Sequence, residues 1–116
     1  MRRAAVALAV LLAAGGAQAA ERRCGWLHNP TPGNWWLTDR VGQWVLSTQG
    51  GYEAGGMESL PDMTVGGWVA TNGSYGYGCA CLRVEVEGAG SRIVRVLRAE
   101  PLPLSRCRND RSLPRP

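Results

Sequence analysis

Four cysteines carry most of the chemistry that this sequence could do: Cys24, Cys79, Cys81 and Cys107. They could form two disulfides, or Cys79 and Cys81 could bind a soft metal together with Cys24 and His28, or that pair could act as a redox-active dithiol. A redox pair is more often spaced Cys-x-x-Cys at the start of a helix, and the sequence offers neither that spacing nor a helix. It therefore favours two structural disulfides, with no metal site and no cofactor.

The N-terminus has the three parts of a secretory signal peptide. Arg2 and Arg3 give a positive start, residues 4–14 are uncharged and apolar, and residues 17–19 read Ala-Gln-Ala, a small-x-small cleavage site. The apolar run is shorter than the roughly 20 residues that a transmembrane helix needs. We expect cleavage near Ala19, a periplasmic or secreted mature chain and no transmembrane segment in it.

The mature chain is short and only weakly basic. Removing residues 1–19 from the 116 leaves 97, and losing Arg2 and Arg3 lowers the formal net charge from +4 to +2. That length predicts one domain, residues 20–116, with a core small enough to need disulfides. The charge is too low to favour nucleic acid as a partner.

Glycine and proline interrupt the apolar stretches before they reach helical length, which is the pattern of short strands. One predicted hairpin pairs residues 35–37 with 43–46, and a second pairs 79–86 with 92–97 through a turn near 88–90. A further strand is expected at 67–70. The fold class is therefore all-β, a small disulfide-stapled sheet or partly open barrel of five or six short antiparallel strands. The Arg- and Pro-rich tail, 101–116, is expected to be irregular.

Side chains on a strand alternate between its two faces, which fixes the cysteine geometry of the second hairpin. Cys79 and Cys81 share the face opposite Leu82 and Val84, and a bond between them would close a small strained ring. One should therefore pair with Cys24 and the other with Cys107, in an order that the spacing leaves open. Pairing Val84 with Val96 also places Glu85 opposite Arg95, an attractive cross-strand pair.

Tryptophan is the second unusual feature, with five in the chain and no phenylalanine. Trp35 and Trp36 must face opposite sides of a strand, and a register that sets Trp36 across from Trp44 would place those two on one face. Only one of the adjacent pair can join a single core, so we expect Trp36 to be largely exposed beside the proline-stiffened loop 29–34. Exposed tryptophan suits sugar stacking and protein interfaces. The candidate binding residues are Trp35, Trp36, Asn29, Asn34 and Tyr52.

Catalytic chemistry has weaker support. The one histidine, His28, would need Ser47, Ser74 or a free thiol beside it to activate a nucleophile, and nothing in the local sequence supports such a set. Three carboxylates lie in or beside a Gly-rich segment and could serve a hydrolase: Glu53, Glu58 and Asp62. No catalytic residues are predicted.

Several motifs resemble one family over almost the whole mature chain. They are the Cys-Gly-Trp opening at Cys24, the Asn-Pro-Thr-Pro-Gly-Asn-Trp-Trp segment from Asn29, the Gln-Gly-Gly-Tyr stretch from Gln49 and the Cys-x-Cys strand at Cys79. Together they resemble small exported bacterial proteins catalogued as domain of unknown function 4087. The resemblance implies export and a shared disulfide framework, and it carries no activity.

By elimination, the sequence favours an exported non-catalytic binding or inhibitory protein. Its partner would be a protein or glycan of the cell envelope, met by Trp36 and the loop 29–34. The alternatives are a small peptidoglycan-directed hydrolase and a purely structural envelope factor.

Overall fold

Three long strands, three strands of five residues and two brief helical turns make up the described part of the protein. The computed structural model describes residues 19–87 and 91–116, so the first 18 residues of the expected signal peptide and the turn predicted near 88–90 lie outside the described residues. The strands are β1 (Glu21–Thr31), β2 (Asn34–Thr38), β3 (Gln43–Ser47), β4 (Trp68–Asn72), β5 (Tyr75–Val86) and β6 (Ile93–Leu102). A 3-10 turn spans Met57–Ser59, and the helix α1 spans Leu104–Arg108.

The six strands form one antiparallel sheet in the order β3-β2-β1-β5-β4, with β6 also paired to β5. β5 is long enough to pair with β4 along residues 75–78 and with β6 along residues 79–86 on the same edge. The predicted all-β fold is confirmed. β1 was not predicted from the sequence, because Gly25, Pro30 and Pro32 interrupt the alternation of polar and apolar residues that marks a strand. Residues 29–31, which were predicted to lie in a loop, are the last three residues of β1.

The sheet is open but strongly curved, because residues 54–55 connect β3 to β6. Ala54 N donates to Leu46 O, Gly55 N donates to Val94 O, and Val96 N donates to Gly55 O, at 2.8, 2.9 and 2.8 Å. The concave face encloses the main core, whose fully buried side chains include Leu27, Leu37, Leu46, Leu82, Val84, Ile93 and Val96.

The outer, convex face carries a second buried cluster, and the two disulfides lie in it. Cys24 bonds Cys81, which ties β1 to β5, and Cys79 bonds Cys107, which ties α1 to β5. The prediction that Cys79 and Cys81 each reach out to a distant cysteine is confirmed, and the order is now fixed. The tail is more regular than expected: β6 continues to Leu102 and α1 follows it.

One predicted register is confirmed and the other is wrong. Val84 lies opposite Val96 and Glu85 opposite Arg95, as expected. In the first hairpin Trp36 pairs with Val45, and Trp44 pairs with Leu37 instead. The predicted register implied a turn of five residues, 38–42, whereas the turn holds four, 39–42, and the pairing shifts by one residue.

Asp39 explains that turn length. Its carboxylate accepts hydrogen bonds from Val41 N at 2.9 Å and Gly42 N at 3.1 Å, so Thr38 is already paired with Gln43. This is the local side-chain bonding that makes aspartate a turn former.

Across residues 19–87 and 91–116, no helix has the length and apolar character needed to cross a membrane.

Candidate functional site

Three adjoining depressions form a groove at the end of the sheet where β1 turns into β2 and β4 turns into β5. Their volumes are about 450, 480 and 240 Å³. The first two share Gly33, Ser47 and Glu53, and the last two share Trp35 and Pro61. We call this continuous surface the Trp35 groove.

Half-buried aromatic rings line the groove: Trp35, Trp68 and Tyr75. Trp35 packs on the edge of the main core, at a register shift that pairs it with Ser47. Trp68 rests on Gly78, where an added Cβ would lie 2.8 Å from the indole Cε3, and its Nε1 donates to Ser74 O at 3.0 Å. The glycine and the hydrogen bond together hold the Trp68 ring in place.

Side-chain amides fix the turn beside the groove. The buried Asn29 donates from Nδ2 to Thr31 O and Asn34 O, at 3.1 and 2.9 Å. Asn34 donates to Thr31 Oγ1 at 2.6 Å and accepts from Gln49 N at 2.8 Å. Since these bonds close the β1–β2 turn onto the segment that follows β3, the groove is preorganised.

The polar lining of the groove is acidic. Glu53 and Glu58 line the middle depression with Trp35, and Asp62 lines the third. All three carboxylates are exposed, and no arginine lines any of the three depressions. The hydroxyl and amide of Thr64 donate to Asp62 and lower the pKa of its carboxyl. The groove therefore presents hydrogen-bond acceptors and negative charge within a basic protein.

A second aromatic surface crosses the outer face of the sheet, one residue per strand from β3 to β4. We call it the outer row: Val45, Trp36, His28, Tyr77 and Val69, each opposite the next in register. The rings of Trp36 and His28 stack with centroids 5.2 Å apart, and those of His28 and Tyr77 lie 5.5 Å apart. Burial lowers the pKa of His28.

Trp36 is half-buried, so the expectation that it would be largely exposed is wrong. Stacking on His28 and the neighbouring Val45 cover part of the ring. Trp35 and Trp36 do face opposite sides of β2, as their adjacency on a strand requires. They therefore belong to two different surfaces.

The structure divides the five candidate binding residues among three places. Trp35 and Asn29 line the groove, Asn34 fixes the turn beside it, and Trp36 lies on the outer row. Tyr52 is apart from both: its hydroxyl donates to Ile93 O at 2.7 Å, and the Arg92 guanidinium lies 4.2 Å from its ring centroid.

Sequence reasoning did not assign Trp68 and Tyr75 to a site. Tyr75 follows the β4–β5 turn, the Trp68 ring reaches that turn through its bond to Ser74 O, and only the pairing of β1 with β5 brings the turn beside the β1–β2 turn. The available signal was the local density of aromatic residues around 68–77, which does not say which ring meets which loop.

Among the described residues, no group of three or more His, Cys, Asp or Glu side chains is arranged to hold a metal ion. The four cysteines are all consumed in disulfides.

Comparison with known proteins identifies a family. A family model described as "Protein of unknown function (DUF4087)" matches residues 18–114, and the chain therefore belongs to this family. Neither a curated protein nor a solved structure matches the chain.

Proposed function

We propose that this DUF4087 protein is an exported, non-catalytic binding protein that holds a glycan of the cell envelope in the Trp35 groove. The observation that carries the proposal is the groove itself, in which three half-buried aromatic rings lie among carboxylates, hydroxyls and an amide. Each depression approaches or falls within the range of about 300–1,000 Å³ typical of ligand sites.

A glycan fits this lining because a sugar ring has an apolar C–H face and a rim of hydroxyl donors. Indole and phenol rings offer flat apolar area with a polar tip, which suits such a surface. Exposed carboxylates at Glu53, Glu58 and Asp62 offer acceptors to the hydroxyl and amide N–H groups of the sugar. The linear succession of three depressions suits a chain of sugars better than a single compact ligand.

Rigidity supports a binding role. The Cys24–Cys81 disulfide holds β1 against β5, and the asparagine network closes the β1–β2 turn. A preorganised site loses less conformational entropy when its ligand binds.

Export is supported by the disulfides and by the signal-like N-terminus. Two disulfides that consume all four cysteines are consistent with an oxidising compartment such as the periplasm. There the protein would meet envelope glycans, and by covering them it would inhibit the enzymes that use them.

A hydrolase is the second candidate, because Glu53 and Glu58 line the same depression as Trp35. Glycosidases use two carboxyl groups across the bond that is cleaved, and one of them must be held protonated as a general acid. Environments that do this exclude water from the acid. Both glutamates are exposed, so binding without cleavage is the better supported function.

The adjacent tryptophans provide a matched pair of variants. Co-sedimentation of the mature protein with insoluble peptidoglycan should give saturable binding, weakened by Trp35→Ala about 30-fold, the loss of an aromatic anchor worth roughly 2 kcal/mol. Trp36→Ala removes the same side chain from the other face and should change affinity less than about 3-fold. Glu58→Arg, an exposed substitution that should leave folding intact, should also weaken binding.

The alternatives predict other outcomes. Release of new reducing ends from peptidoglycan, abolished by Glu53→Gln or Glu58→Gln, would establish the hydrolase. If the protein fails to bind peptidoglycan but captures one envelope protein, and Trp36→Ala abolishes that capture, glycan binding is refuted and the outer row is the surface that binds the partner protein. An intact protein that binds neither would be a structural factor.

A further inference from the structure

Three arginines lie side by side across the outer face at the other end of the sheet. Arg22 on β1 is opposite Arg83 on β5, and Arg83 is opposite Arg98 on β6. All three are exposed. Directly opposed residues on neighbouring strands have Cβ atoms about 4.5–5.5 Å apart, so three positive charges start within roughly 10 Å of one another. We call them the arginine row.

None of the three arginines in the arginine row forms an ion pair with a residue that the structure describes. Ion pairs among the described residues involve Arg23, Arg92 and Arg95 and none of the three. Glu100 is the one carboxylate lining the depression of about 260 Å³ that the row surrounds, and it lies beyond ion-pair distance of each. This surface therefore carries a local charge of about +2.

Two other arginines of the β5–β6 hairpin each form an ion pair with a glutamate. Arg95 lies opposite Glu85 with Nε 3.4 Å from Oε1, and Arg92 reaches Glu87 at 4.0 Å. Two residues before Glu85, the hairpin sets Arg83 against Arg98 instead. Like charges directly opposite each other destabilise a sheet, so this position departs from the pattern of its own hairpin.

The backbone cannot relieve this repulsion by slipping. Cys24 and Cys81 are opposite each other in register, two residues from Arg22 and Arg83, and their disulfide fixes β1 against β5. A one-residue slip would also move Leu82 and Val84 out of the main core. The three guanidinium groups are thus held on one surface whether or not an anion is present.

We propose that the arginine row binds phosphate groups. Guanidinium groups match phosphate oxygens with paired hydrogen bonds, and a row of three matches a ligand that presents more than one phosphate oxygen pair. In an exported protein such phosphate could belong to anionic lipid headgroups or to a soluble phosphate compound. Arg22 and Asn29 are seven positions apart on β1, about 23 Å at the rise of a strand, so this site is independent of the Trp35 groove.

The test uses two probes and a charge-matched control. The mature protein would be co-sedimented with vesicles of phosphatidylcholine alone or with 30% phosphatidylglycerol, and titrated separately with inorganic pyrophosphate. The site variant is Arg22→Gln/Arg83→Gln/Arg98→Gln. The control, Arg106→Gln/Arg108→Gln/Arg111→Gln, removes the same net charge from α1 and the tail.

We expect binding to at least one probe, weakened at least about 30-fold in the site variant and less than about 3-fold in the control. Binding should also fall steeply between 0.05 and 0.5 M salt. Vesicle binding alone would assign a lipid surface, and pyrophosphate binding alone a soluble phosphate. Equal losses in both variants would show a net-charge effect and overturn the proposal, as would binding to neither probe. The site variant should melt at or above the wild-type temperature, because it removes like charges that lie opposite each other, and a loss of binding at an unchanged melting temperature cannot be attributed to unfolding.

Discussion

Removing the disulfides one at a time gives the sharpest prediction about stability. Cys24→Ala/Cys81→Ala deletes the bridge between β1 and β5, and Cys79→Ala/Cys107→Ala deletes the bridge between β5 and α1. Either double variant leaves one disulfide and no unpaired thiol, since the chain has four cysteines.

The loop lengths set the size of the effect. The bridges close loops of 57 and 28 residues. The chain-entropy relation gives about 4 kcal/mol for the first and about 3.5 kcal/mol for the second. Each loss is a large part of the roughly 5–15 kcal/mol that stabilises an ordinary domain. Because the loops overlap only at residues 79–81, the two losses should be nearly additive.

Urea unfolding followed by tryptophan fluorescence would measure both losses. We expect the Cys24/Cys81 variant to be at least as destabilised as the Cys79/Cys107 variant, and the protein lacking all four cysteines to be largely unfolded at 37 °C. A loss below about 1 kcal/mol for either bridge would refute the loop-entropy reasoning. The reasoning would also be refuted if the variant lacking all four cysteines were as stable as the less stable of the two double variants.

Three further predictions concern single residues. Burial alone would raise the pKa of the Asp39 carboxyl, but hydrogen bonds from Arg23 and three other donors outweigh burial and lower this pKa. Because the pKa is lower in the folded state than in the unfolded state, Asp39 stabilises the fold above pH 4, and this contribution is lost on acidification. Asp39→Asn should flatten the dependence of the melting temperature on pH between 5 and 2, and an unchanged slope would contradict this. Burial lowers the pKa of His28, so its imidazole should titrate below pH 6.5 when followed by NMR. The fold should lose stability as the pH falls below that value, because the unfolded state binds the proton first. A titration midpoint at or above 6.5 would contradict the structure. Gly25→Ala should lower stability by about 2 kcal/mol or more, because an added Cβ would lie 2.1 Å from Thr38 O, and a wild-type melting temperature would rule out that close approach.

The features predicted correctly from sequence depend on local alternation. The period of two along β5 placed Cys79 and Cys81 on one face and Leu82 and Val84 on the other, and charge pairing fixed Glu85 opposite Arg95. A two-residue period and one attractive pair are properties of neighbouring residues, so one sequence suffices to read them.

Two errors arose where tertiary structure overrides local signals, and one arose from the local bonding of a turn residue, which strand periodicity does not contain. Pro30 and Pro32 suggested a loop, yet Pro30 lies in β1, which forms a strand between β2 and β5 because its other residues pair on both sides. The register of Trp36 was wrong by one position, since the bonds of the Asp39 carboxylate set the turn length. The groove could not be predicted at all, because it joins turns that are distant in sequence.

The most direct test of glycan binding uses the indole N–H resonances of the five tryptophans. Titrating the ¹⁵N-labelled mature protein with soluble peptidoglycan fragments should shift the signals of Trp35 and Trp68, which line the groove. The signals of Trp26 and Trp44, buried in the two cores, and of Trp36 on the outer row should stay in place. Movement of Trp36 without Trp35 and Trp68, or no movement at saturating fragment, would contradict the groove as the binding site.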